Sequence, residues 1–184
     1  MIRQLPNMLT ALRLFSAPIL AAFLLYGHQT YAFAVFAFAG FTDLADGFLA
    51  KRFGLMTPVG RYFDPVADKL LMLAAFLALA AIHQTPLWLT LLVIGRDLSI
   101  VLGIALARGL ALSLRVEPLA IGKVCMAVQV AYVALVLLFL AFHWHGGRAL
   151  EAAALVAGAF TVASWLGYAA LWLKALATRY GRAV

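Results

Sequence analysis

The sequence predicts an all-α polytopic membrane protein, a bundle of six transmembrane helices with both termini cytoplasmic. Four observations predict it. The 184 residues are 66% hydrophobic and 11% charged, where ordinary soluble domains carry about 25% charged residues. Mean hydropathy is +1.03, and a soluble domain of this size lacks the interior to hide so much apolar surface. The apolar residues fall into six runs, each near the ~20 residues that cross a bilayer. Finally, the basic residues gather on one side of the alternating runs.

The runs are expected as helices over Asn7–Tyr26, Tyr31–Lys51, Gly60–Ile82, Leu87–Arg108, Ala120–Phe142 and Leu150–Leu173. Helices satisfy their own backbone groups in lipid, and runs of this length do not resemble barrel strands. Turn chemistry separates them: Gly27-His28-Gln29, Phe53 to Pro58, His83-Gln84-Thr85-Pro86 and His145-Gly146-Gly147. The first run carries Arg13 in its interior and reads as a retained helix rather than a cleaved signal. Neither an internal repeat nor a linker interrupts the pattern, so residues 1–184 read as one domain.

Charge orients the bundle. Arg3, Lys51, Arg52, Arg61, Arg108, Arg115, Lys123, Lys174, Arg179 and Arg182 fall on one side, with only Arg148 in the opposite turns. Positive charge favours the cytoplasmic face, which fits a bacterial inner membrane or an organelle. The net charge of +7 does not point to nucleic acid, because the cations sit at the ends of apolar segments. Anionic headgroups or a phosphorylated substrate fit better. Disorder and a disulfide scaffold are excluded; Cys125 is the single cysteine and reads as an inert core residue.

Four of the seven acidic residues lie close together in sequence: Asp43, Asp46, Asp64 and Asp68. Asp43 and Asp46 are one helical turn apart, as are Asp64 and Asp68, so each pair shares a face. The short connection between the two runs makes them neighbours and lets both pairs point toward one chamber at the cytoplasmic end. Four like charges in one place need positive charge among them. Hard divalent cations satisfy that need, and the lack of His or Cys argues against zinc. Two ions bridged by a shared carboxylate could clamp an in-line phosphoryl displacement. Gly47 and Ala50 leave room for a ligand near the backbone, and Lys51, Arg52, Arg61 and Lys69 add cations for phosphate oxygens. A structural alternative is that the acids pair with Arg13, Arg96 or Lys69 and fasten helices. A proton or cation pathway is another.

Residues 43–68 read DLADGFLAKRFGLMTPVGRYFDPVAD. This resembles the signature of the CDP-alcohol phosphotransferase (phosphatidyltransferase) family, D-x2-D-G-x2-A-R-x8-G-x3-D-x3-D. Asp43, Asp46, Gly47, Ala50, Gly60, Asp64 and Asp68 match it, and Lys51 stands where the family has Arg. The opening LPNMLTALR, with Asn7, Thr10 and Arg13, is similar to the family's N-terminal stretch. The resemblance implies six membrane helices, a homodimer, and two Mg²⁺ or Mn²⁺ ions on Asp43, Asp46, Asp64 and Asp68. It further implies that Asp68 is the general base, and that Gly47, Ala50, Lys51, Gly60, Asn7 and Thr10 line the nucleotide and phosphate pocket of a CDP-linked lipid. An acceptor hydroxyl would then displace CMP from CDP-diacylglycerol, a step of phospholipid biosynthesis.

The acceptor is expected to be glycerol-type, with glycerol-3-phosphate ahead of phosphatidylglycerol. Residues 5–69 look like both the phosphatidylglycerophosphate synthase and the cardiolipin synthase branches of the family. Gly122, Lys123 and Gln129 look like the cardiolipin branch, where Met126 replaces a usual Thr. A second phosphate would need a second basic site, for which Arg61, Arg96, Arg108, Arg115 and Lys123 are candidates; a structural pair of Arg96 with an aspartate, or Asp97 bridging helices, is the plain alternative. An ion-coupled carrier and a non-catalytic family member are the rival classes. Phe33, Phe36, Phe38 and Phe41 read as packing or lipid contact, the four Trp as partly interfacial, and the four His as unconnected with metal. Gly158 and Gly167 suit close helix contact or a dimer face.

Overall fold

The structure is a computed structural model that describes the backbone over 5–53, 58–109 and 119–180, and side chains over 12–42, 66–103, 105–106 and 119–173. Six helices follow in order: α1 (Leu5–Leu25), α2 (Gln29–Phe53), α3 (Pro58–Ala81), α4 (Leu87–Gly109), α5 (Ala120–Ala141) and α6 (Gly147–Tyr180). The fold is all-α, as the apolar runs predict. The main difference is α6, expected over Leu150–Leu173 but 34 residues long. Hydropathy falls after Leu173, yet Lys174 to Tyr180 contain neither Gly nor Pro, so nothing breaks the helix where the apolar run ends.

Two stretches among the described residues, Ala120–Ala141 and Gly147–Leu173, are long and apolar enough to cross a membrane. Large apolar side chains also lie open on other helices, including Phe15 and Ile19 on α1, Phe38 and Phe41 on α2, and Leu98 and Leu102 on α4. Phe36, by contrast, is buried.

The helices cluster into two compact units. One comprises Met1–Thr85 with Val133–Gly147, the other Pro86–Tyr132 with Arg148–Val184, so the boundary falls within α5, between Tyr132 and Val133. In the first unit α1 packs against both α2 and α3. Its buried face repeats at helical spacing through Arg13, Ala17, Leu20 and Leu24. Ala32, Phe36 and Ala39 bury the matching face of α2, and Leu71, Ala75 and Leu79 that of α3.

In the second unit, glycines admit large aromatic rings. A Cβ on Gly158 of α6 would stand 2.7 Å from the Trp88 ring of α4, and one on Gly103 of α4 would stand 2.6 Å from Nε1 of Trp172. Gly167 likewise faces Leu119 and Ile121. Gly158 and Gly167 therefore serve close contact within the unit.

Three helix ends of the first unit share one device. After α1 the His28 N–H donates to the Phe23 carbonyl (2.7 Å) and the Gly27 N–H to that of Leu24. The same pair of bonds recurs after α3, from Gln84 to Leu79 and His83 to Ala80, and after α5, from Trp144 to Phe139 and His143 to Leu140. This is the Schellman closure, which requires a left-handed residue. Gly27 (φ 80°), His83 (φ 58°) and His143 (φ 55°) supply it. Two of the histidines are thus helix terminators. A left-handed L-residue costs about 1–2 kcal/mol that glycine does not. His83→Gly should accordingly raise the thermal unfolding midpoint in detergent, by roughly 1 kcal/mol of stability. Gly27→Ala should lower it by a similar amount: no atom lies within 4 Å of the added methyl, so backbone strain acts alone.

Candidate active site

The acidic motif is carried by two helices that both follow α1 in the first unit. Asp43, Asp46, Gly47, Ala50 and Lys51 are on α2, and Gly60, Arg61, Asp64 and Asp68 are on α3. Helical backbone through both segments preserves the one-turn spacing within each pair. The side chains of Asp43, Asp46, Gly47, Ala50, Lys51, Gly60, Arg61 and Asp64 lie outside the described residues, as do those of Asn7 and Thr10 on α1.

Asp68 is described, and its surroundings are specific. Nη1 of Arg13 donates a hydrogen bond to Asp68 Oδ1 at 2.9 Å, joining α1 to α3. The Arg13 side chain is 2% exposed and that of Asp68 33%. A guanidinium shut into an apolar interior is tolerable only with an anion beside it, and α3 supplies that anion. The Arg13 pairing considered from sequence therefore exists, and it engages the aspartate assigned the role of base. Lys69, next along α3, is half-buried.

The second unit holds a separate buried cation. Arg96 on α4 donates from Nη1 to Asp97 Oδ1 (2.6 Å) and from Nη2 to Ser164 Oγ on α6 (2.7 Å). Its guanidinium lies 5.6 Å from the centre of the Tyr168 ring, within cation–π range. Gly122 of α5 fits beside this group: a Cβ there would come within 3.0 Å of the Tyr168 hydroxyl. Among the basic candidates for an acceptor site, Arg96 is buried and Lys123 is exposed. The side chain of Arg108 and all of Arg115 lie outside the described residues.

A third polar group ties α5 to α6. Gln129 Nε2 donates to Thr161 Oγ1 at 2.9 Å and to Cys125 Sγ at 3.4 Å, and Thr161 donates back to the Ala157 carbonyl. Cys125 is a buried free thiol, while Met126 faces outward. Sequence reasoning missed Thr161, Ser164 and Tyr168 as partners. Their signal was present, since they recur at helical spacing as polar groups in an otherwise apolar run.

The donor set of the motif is four carboxylates without His or Cys, which suits hard, oxygen-loving divalent cations. Among the described residues no group of three His, Cys, Asp or Glu converges on a metal position. Only Asp68 of the four has a described side chain. Its partial exposure leaves it reachable from outside, with its cation behind it.

Residues 3–178 match the CDP-alcohol phosphatidyltransferase family. The chain is 43% identical over 104 residues to a cardiolipin synthase (CMP-forming)/mitochondrial hydrolase fusion protein of Schizosaccharomyces pombe, covering 56% of this chain and 18% of that protein. It is 39% identical over 114 residues to a probable phosphatidylglycerophosphate synthase of Mycobacterium tuberculosis, covering 58% and 54% respectively. A probable cardiolipin synthase (CMP-forming) of Drosophila melanogaster is 30% identical over 183 residues, covering 91% of this chain and 57% of the relative. The matches thus span less than two thirds of each relative's length. With the matched region running through all six helices, the chain belongs to the CDP-alcohol phosphatidyltransferase family.

Proposed function

We propose that this chain is a phosphatidyltransferase that moves a phosphatidyl group from CDP-diacylglycerol to a glycerol-type alcohol and releases CMP. The observation that carries the reading is the set of seven signature positions, all on helical backbone of α2 and α3, with Asp68 held by Arg13. The bond that forms joins the acceptor oxygen to the lipid-side phosphorus. The bond that breaks joins that phosphorus to the bridging oxygen, which leaves with CMP. Asp68 accepts the proton of the attacking hydroxyl.

Asp43, Asp46, Asp64 and Asp68 are the residues to hold two Mg²⁺ or Mn²⁺ ions. When bound, such ions neutralise charge on the pyrophosphate as the phosphoryl group transfers. Gly47, Ala50, Lys51 and Gly60, with Asn7 and Thr10 from α1, form the nucleotide and phosphate pocket in this reading. Lys51 brings a point charge where the family signature has a planar fork.

The six helices are proposed to span a bacterial inner (plasma) membrane as a homodimer, with both termini and the aspartates on the cytoplasmic side. The apolar exposed faces and the one-sided cations support this arrangement. Glycerol-3-phosphate is the preferred acceptor, with Arg61, Arg96, Arg108, Arg115 and Lys123 as candidates for its phosphate. Phosphatidylglycerol is the second reading, supported by the relatives named cardiolipin synthase.

Purified protein in detergent or liposomes should release CMP from CDP-diacylglycerol only when Mg²⁺ or Mn²⁺ and an acceptor are present, and a chelator should abolish release. Product mass from a panel of acceptors separates phosphatidylglycerophosphate from cardiolipin; no CMP with any acceptor from folded protein rejects the reading. Asp68→Asn should lower kcat by about 100-fold or more in protein whose helical circular dichroism is retained. Lys51→Arg should lower the KM for CDP-diacylglycerol about threefold, through a bidentate phosphate contact.

A further inference from the structure

The geometry points to Arg13 as a positioning residue for the transfer reaction: its guanidinium, on α1, fixes the direction in which the Asp68 carboxylate of α3 faces. This inference rests on the phosphatidyltransferase reading and extends it to a residue outside the signature.

Three observations carry it. The contact is a charge-assisted hydrogen bond of 2.9 Å between residues 55 apart in sequence, so it depends on α1 docking against α3. The two side chains differ in access, 2% for Arg13 and 33% for Asp68. Anything approaching from outside meets the carboxylate first, with the guanidinium as its rear support. Arg13 also shares its helix face with the buried Ala17, Leu20 and Leu24, so packing holds the donor in place.

The chemistry follows from these constraints. An aspartate carboxylate turns about two side-chain torsions, and one oxygen bonded to an immobile donor restricts both. Displacement of a reacting group by about 1 Å can cost 100-fold in rate. Arg13 therefore acts through Asp68 and does not itself touch phosphate. This separates it from Lys51 and the other cations of the proposed pocket, whose loss would weaken substrate binding. It also separates it from a simple fastener between helices, whose loss would lower stability and leave turnover intact.

The test uses the full chain as wild type, Arg13→Lys, Arg13→Met, Asp68→Asn and the double variant Arg13→Met/Asp68→Asn. Two readouts are taken: the thermal unfolding midpoint, and kcat and KM for CDP-diacylglycerol at saturating Mn²⁺. Arg13→Met should lower kcat by about 30-fold or more with KM changed less than about threefold. Arg13→Lys should recover part of the turnover. The double variant should turn over no more slowly than Asp68→Asn alone, and its midpoint should lie above that expected from adding the two single losses.

A lowered midpoint with kcat intact in Arg13→Met makes Arg13 a fastener only and overturns the inference. A raised KM with kcat intact makes it a substrate contact and overturns it equally. If Arg13→Met does not fold, Arg13→Lys decides: kcat equal to wild type overturns the inference, and a selective fall in kcat supports it. Wild-type protein that releases no CMP removes the reaction and the positioning role together. Active wild type with unchanged Arg13 variants removes the positioning role alone.

Discussion

A charge inside an apolar helical protein is stable only with its opposite beside it, and both buried arginines among the described residues obey that constraint. Arg13 meets Asp68 across the α1–α3 contact, and Arg96 meets Asp97 with Ser164 at its second nitrogen. The Arg13–Asp68 pair itself joins two helices, whereas Arg96 and Asp97 are neighbours on α4 and the Ser164 bond is what reaches α6. The first ties α1 to the helix bearing two of the four signature aspartates. The second lies in the other compact unit. Because both guanidinium groups are buried, removing the aspartate beside either is costly, and these contacts favour the observed docking of the helices.

The two pairs differ in what they leave open. Asp68 keeps a third of its side-chain surface accessible while its arginine is shut in. The acidic motif thus has a carboxylate that faces outward from a rigid rear wall, the arrangement expected of a group that meets a ligand. In the second unit Arg96 is enclosed by Asp97, Ser164 and the face of Tyr168, and Gln129 with Thr161 forms a second closed polar contact. Buried polar groups engaged from one helix to the next in this way favour one register of α4, α5 and α6.

Packing between the polar contacts uses size differences. Gly158 and Gly103 stand where Trp88 and Trp172 press on the neighbouring helix, and small residues let the backbones approach. At the helix ends the chain stops by backbone closure: Gly27, His83 and His143 take the left-handed conformation that releases the last carbonyls to turn N–H groups. Histidine at two of these positions carries a steric cost; at His143 the same turn positions Trp144 against Phe139 and Phe142, contacts that offset part of it.

Hydropathy and motif spacing determined the number of helices, most of their limits, and the family. These signals are local: an apolar run and a seven-position spacing survive translation into helix without reference to any other segment. The end of α6 was misplaced because hydropathy marks where apolar character stops, whereas a helix continues until a breaker or a cap ends it. Which arginine pairs with which acid was a matter for tertiary structure alone. Arg13, Arg96 and Lys69 were all candidates by composition, and only the docking of α1 on α3 brings Arg13 to Asp68 across 55 residues of chain. The same holds for Ser164 at Arg96 and Thr161 at Gln129, since a contact between distant residues is fixed by how two helices cross.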